Sequence, residues 1–185
     1  MTNIHVWTPH RYNFTGFQEA LQIHPFFQNN KIRVVHIHYW PELTFDHIYD
    51  IFTTSLLEHG QKSVNIFLFD DDELEDGCGR EVLETTIRHF INITKLHPST
   101  YFLFADFIDF LYTDATYSPA ELTRFKQFVI EQVNLYPTRN FYKDFHGYID
   151  GKDCDCYNRP TEAGMKKLFE VFSTVLRLRT PAGAF

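Results

Sequence analysis

The stretch SVNIFLFDDDE, Ser63 to Glu73, is a nearly continuous apolar run that ends abruptly in four acids. A strand with one wet face alternates apolar and polar residues. A run without that alternation fits a strand covered on both faces, which is the habit of parallel sheets with helices on either side. The acidic turn then falls at the carboxyl end of the strand, where such sheets place their functional crevice.

The flanking sequence repeats this grammar. On the N-terminal side, NIHVWT (3–8) and IRVVHIHYW (32–40) are short β-branched and aromatic runs that read as strands. Between them FTGFQEALQIHPFF reads as a helix, with Thr15 as N-cap and Pro25 near its end. TFDHIYDIFTTSLLEHG spaces Phe45, Ile48, Ile51, Phe52 and Leu56 helically, and Gly60 closes it.

On the C-terminal side, REVLETTIRHFINITKL is expected to place Val82, Leu83, Thr86, Ile87, Phe90 and Ile91 on one helical face, and STYFLFADF is the next strand. Ser118, Pro119 and Glu121 form a helix-start signature of cap, N1 proline and capping-box glutamate. NFYKDFHGYI reads as a fifth strand, and a last helix begins after Thr161.

Five strands alternating with helices predict one α/β domain over residues 1–185, a three-layer sandwich around a mainly parallel five-stranded sheet. Right-handed crossovers with a flavodoxin-like strand order are the leading topology, although periodicity does not fix the order.

Composition narrows the function. The chain of 185 residues is 44% hydrophobic and 22% charged, enough to bury a single core, and its 20 Phe predict a core or groove built from rings. A net charge of −7 argues against broad binding to a phosphate backbone, so nucleic acid is not an expected partner. No stretch approaches the roughly 20 apolar residues a bilayer span needs. Three cysteines, Cys78, Cys154 and Cys156, give an odd count without a disulfide framework. A soluble protein of the reducing cytoplasm is the expectation.

Candidate functional residues follow from the strand ends. Thr8, His10 and Arg11 follow the first strand, and His38, Tyr39 and Trp40 end the second. Asp70 to Gly77 follow the third, Asp106 ends the fourth, and Asp150, Asp153, Asp155 and Asn158 follow the fifth. His36 and His38 share a strand face and could ligate a metal, but a hydrogen-bonded core role is the preferred reading for His36. Cys154 and Cys156 are too few for zinc unless His146 or another histidine joins them. No cofactor or metal is therefore expected.

The block DCYNRPTEAGMKKL, from Asp155, resembles the last motif of the SGNH (GDSL-type) hydrolase superfamily, an Asp, two residues, a His, then Pro and a helix. The order of elements and the acidic turn after the third strand are similar to that family as well. The resemblance implies a site at the ends of the first, third and fifth strands, with residues changed. Where the family carries a Gly-Asp-Ser turn, VWTPHR offers Thr8 or Pro9 and no serine; where it carries Gly-x-Asn-Asp, the chain has FDDDE; and Asn158 stands in the place of the base histidine.

A hydroxyl is a weak nucleophile unless a base takes its proton, and an Asn amide does not titrate. Carboxylates in place of an oxyanion donor repel the charge they should stabilise. The expected function is a non-catalytic SGNH-like binding module for an unknown protein or small-molecule ligand. Thr8, His10, Asp155 and Asn158 are then a degenerate catalytic site, and Arg11, Asp70 and Asp106 its ligand contacts. Two alternatives stay open: an esterase or carbohydrate deacylase using Thr8, His10 and Asp155, and a divalent-metal transferase using the Asp70–Asp72 turn with Asp106.

Overall fold

The computed structural model describes residues 2–8, 32–40, 44–59, 63–70, 79–108, 118–146, 148, 152–155, 161–164 and 166–167. Its elements in chain order are β1 (Thr2–Thr8), β2 (Ile32–Tyr39), α1 (Phe45–His59), β3 (Ser63–Phe69), α2 (Gly79–Leu96), β4 (Thr100–Asp106), α3 (Pro119–Val133) and β5 (Asn140–Asp144). The helix expected around FTGFQEALQIHPFF and the final residues lie outside this set.

All four strand pairings are parallel, in the order β2-β1-β3-β4-β5. This is the flavodoxin-like order. β1 has β2 on one side and β3 on the other, so the chain reverses direction across the sheet at the β1/β3 boundary. The registers Trp7↔Phe67 and Phe69↔Asp106 bring the carboxyl ends of β1, β3 and β4 to one rim.

Every residue of β3 is buried, which is why its sequence does not alternate. On one face Trp7, Phe67, Phe69, Phe102 and Phe104 pack against Ile48 and Phe52 of α1, Leu83, Ile87 and Phe90 of α2, and Leu122, Phe125 and Val129 of α3. Seven of the 20 phenylalanines lie in this layer: Phe67 and Phe90 are 4.8 Å apart between centroids, and Phe69 meets Phe125 edge-on at 5.9 Å. On the other face Ile4, Val6, Val64, Ile66, Leu68, Leu103 and Ala105 are equally buried. Both faces of the sheet are therefore covered, as a three-layer sandwich requires.

The helix signals in the sequence have identifiable causes. Ser118 Oγ accepts from Glu121 N at 3.2 Å while Glu121 Oε2 accepts from Ser118 N at 2.8 Å, a complete capping box that starts α3. At the far end of the sheet, Arg139 donates to the carbonyls of Thr94 and His97 and so caps α2. Val82 departs from expectation: it is 47% exposed, whereas Leu83, Thr86, Ile87, Phe90 and Ile91 are buried. It lies in the first turn of α2, at the edge of the buried stripe.

Several polar residues inside the sheet are bonded to one another, while the buried Thr100 Oγ1 has no hydrogen-bond partner among the described residues. Asn65, the one amide in the apolar run, accepts from Trp7 Nε1 at 3.0 Å and donates to Ser63 Oγ and the Tyr101 carbonyl. His5 Nδ1 and His38 Nε2 are 2.9 Å apart, a hydrogen bond that requires at least one neutral ring. His38 thus lies within the sheet and engages a neighbouring strand.

Candidate functional site

In an open parallel sheet, ligands bind beyond the carboxyl ends of the strands where the order reverses. Here that place is bounded by the ends of β1 and β3. Thr8 and Asp70 occupy those ends, and both are fully buried. By strand alternation Thr8 lies on the face of Ile4 and Val6, and Asp70, one residue past β3, on the face of Val64, Ile66 and Leu68. The two candidate residues therefore share one side of the switch point.

Asp106 lies on the opposite face, with Phe102, Phe104 and α3. Its Oδ1 accepts from Ile108 N at 2.9 Å, and its Oδ2 accepts from Tyr142 Oη at 2.6 Å and pairs with Lys126 Nζ at 3.0 Å. By the same alternation, Asp70 and Asp106 fall on opposite faces of the sheet. Among the described residues no group of three His, Cys, Asp or Glu side chains could hold a metal ion. Burial pushes the Asp106 carboxyl above its ordinary range, against the opposing pull of Lys126, Tyr142 and the Ile108 amide.

The segment after β5 is organised by Asp153. Its carbonyl accepts from Thr161 N at 2.7 Å and from Thr161 Oγ1 at 3.0 Å, and its carboxylate pairs with Lys167 Nζ at 2.7 Å. Thr161 Oγ1 also accepts from Gly164 N, so Thr161 caps the helical turn that begins at Glu162. The result is a clasp at the base of the segment from Asp153 to Thr161. Asp155 is exposed just beyond it and Cys154 is half-buried. His10, Arg11, Asp71, Asp72, Cys78, Cys156 and Asn158 lie outside the described residues, and so do the side chain of His36 and the contacts needed to bring Asp155 to Thr8.

Three residues at this rim did not figure in the sequence reading: Lys126, Tyr142 and Lys167. Lys126 left a signal. It falls four residues after Leu122 and three before Val129, on the buried stripe of α3, where a lysine needs a partner. Tyr142 shares the alternation of buried Asn140. Lys167 gave none, since its partner is fourteen residues away across a loop.

No protein family's sequence model matches the chain, and no curated protein does. Solved structures do match. The psychrotrophic esterase EstA from Pseudoalteromonas sp., in a form inhibited by monoethylphosphonate, is similar with a TM-score of 0.59 and 10% identity, over 95% of this chain and 98% of that one. TesA gives a TM-score of 0.62 and 12% identity, over 96% and 99%. A GDSL-like lipase from Bacteroides thetaiotaomicron gives 0.53 and 10%, over 96% and 88%. The chain has the fold of the SGNH (GDSL-type) esterases. At these identities the likeness concerns the fold alone.

Proposed function

We propose that this chain is a binding domain built on the SGNH hydrolase fold, without serine-type hydrolysis. The observation that carries the reading is the placement of Thr8 and Asp70, both fully buried, at the ends of β1 and β3 that bound the switch point. By resemblance to the family, the first position is that of the nucleophile and the second borders the oxyanion site. A carboxylate there opposes a developing oxyanion, and Asn158, in the place of the base, has no basic nitrogen to take the hydroxyl proton. The odd cysteine count supports a reducing, cytoplasmic setting.

The test is twofold. Turnover of p-nitrophenyl acetate and butyrate is expected to match that of Thr8→Ala, and a phosphonate ester is expected to leave the intact mass unchanged. A phosphonate adduct mapped to Thr8 would overturn the reading.

The esterase reading has one observation of its own. Asp155 is exposed beside the start of the last helical segment, where the family's acid stands by resemblance. It requires ester turnover that is lost in both Asp155→Asn and His10→Ala.

A further inference from the structure

Asp106 is 0% exposed and all of its partners lie within the fold: Ile108 N on Oδ1, Tyr142 Oη and Lys126 Nζ on Oδ2. The Lys126 ammonium, whose side chain is 11% exposed, also lies 3.3 Å from Asp144 Oδ2, which is 46% exposed. Two carboxylates thus share one cation. With all three ionised, this trio carries a net negative charge, and Asp106 is the member held farthest from water.

A dry carboxylate whose cation is shared with a second acid is costly to keep ionised, and one proton relieves it. Asp106 is the drier acid and so the one where that proton is favoured. Burial drives its carboxyl upward, and the Tyr142 phenol is likewise pushed up by burial and by Asp106. Among the described residues, the charged or titratable groups facing Asp106 are Lys126 from α3 and Tyr142 and Asp144 from β5. The neighbouring β3 contributes Phe69 in register. The buried residues of α2 are Leu83, Thr86, Ile87, Phe90, Ile91, Ile93 and Thr94, none of them charged.

The same residues fix the turns that leave the rim. Besides holding Ile108 N, Asp106 accepts from Phe145 N through its carbonyl at 2.8 Å, and Asp144 Oδ1 accepts from His146 N at 2.9 Å. These are the first turns after β4 and β5, and the second leads toward the Asp153 clasp.

We propose that Asp106, Lys126, Tyr142 and Asp144 form a proton-operated latch: with Asp106 ionised, Lys126 clamps α3 to the ends of β4 and β5, and when Asp106 takes up a proton from solvent, Lys126 moves to Asp144 and the turns after both strands loosen. The step forms one O–H bond on Asp106 and breaks the Lys126–Asp106 ion pair. The Ile108 amide then faces a neutral carboxyl, and its hydrogen bond falls from charge-assisted to ordinary strength. The latch goes beyond the proposed function, since it operates whether the rim binds a ligand or hydrolyses one.

The experiment is an NMR titration of the full wild-type chain that follows the Asp106 side-chain carbon and the amides of Ile108, Phe145 and His146. Asp106 is expected to titrate above the ordinary value of 3.8, with the three amides shifting and exchanging faster in the same step. In Asp106→Asn the amide step is expected to vanish, and in Lys126→Met the Asp106 midpoint to rise by about 1–3 pH units. Titration at or below the ordinary value, or titration that leaves the three amides unmoved, would overturn the latch. Both of those outcomes are read on the wild type, so they do not depend on a variant that folds.

Discussion

A Cβ added to Gly164 would lie 2.3 Å from the carbonyl oxygen of Asp153. The first helical turn after Thr161 and the strand-side loop therefore meet backbone to backbone. That closeness lets Thr161 close on the Asp153 carbonyl with both its amide and its hydroxyl.

Gly164→Ala is accordingly expected to push the clasp open, at a cost of about 1–3 kcal/mol as for other overpacking changes. Thermal melting checks the size, and hydrogen exchange at the Thr161 amide checks the place. An alanine variant with unchanged melting and unchanged Thr161 protection would mean that the contact relaxes freely.

Lys126→Met leaves Asp106 buried with Tyr142 and the Ile108 amide but no cation. A loss of about 3–5 kcal/mol is expected at neutral pH, the usual result of stranding one member of a buried pair. The loss should shrink as pH falls and Asp106 takes a proton. Urea denaturation at two pH values checks this, with Asp106→Asn expected to cost less than Lys126→Met at pH 7.

His97 sits at the end of α2 beside Tyr49, and burial lowers its pKa from 6.5. Folding thus favours the neutral ring. Its contribution is full above 6.5, is lost as pH falls from there through the lowered folded value, and is constant below that. Asp106 has the opposite sign. Its folded value is raised, so its ionisation costs stability as pH climbs from 3.8 through that value. Melting curves of wild type and His97→Gln between pH 7.5 and 5 test the first of these. Parallel slopes would show that the ring contributes nothing.

Asn65→Leu removes the acceptor for the buried Trp7 Nε1 and the donor to Ser63 and Tyr101. A buried donor left without an acceptor costs about 1–3 kcal/mol, offset in part by the added apolar contact. Chemical denaturation of Asn65→Leu beside Asn65→Leu with Trp7→Phe separates the two, because the double variant has no stranded indole.

The fold was legible because its signals are local. The unbroken run from Val64 to Phe69 announced a strand buried on both faces, and Ser118, Pro119 and Glu121 announced a helix start, each by short-range chemistry. Strand order left no such local signal: the flavodoxin-like order was only the leading topology for this fold class, and it is the strand pairings that establish it. The rim was legible only in part. Periodicity says that Asp106 and Asp70 both end strands, but the face each occupies depends on counting alternation through to the last residue. The Lys126 and Lys167 bridges join segments distant in sequence, and pairing of that kind leaves at most a misplaced charge on an apolar stripe as its trace.

The two tryptophans have a consequence of a different kind. Trp7 and Trp40 are at most 1% exposed, and their indole N–H groups are spent on Asn65 and on the Leu68 carbonyl. Both report on the half of the sheet formed by β1, β2 and β3, while the latch on β4, β5 and α3 contains no indole among the described residues. Emission from the native protein is therefore that of dry indoles, and it is blind to movement at the far edge. Any red shift registers the opening of the half that holds the switch point, so light can tell which end of the sheet has given way first.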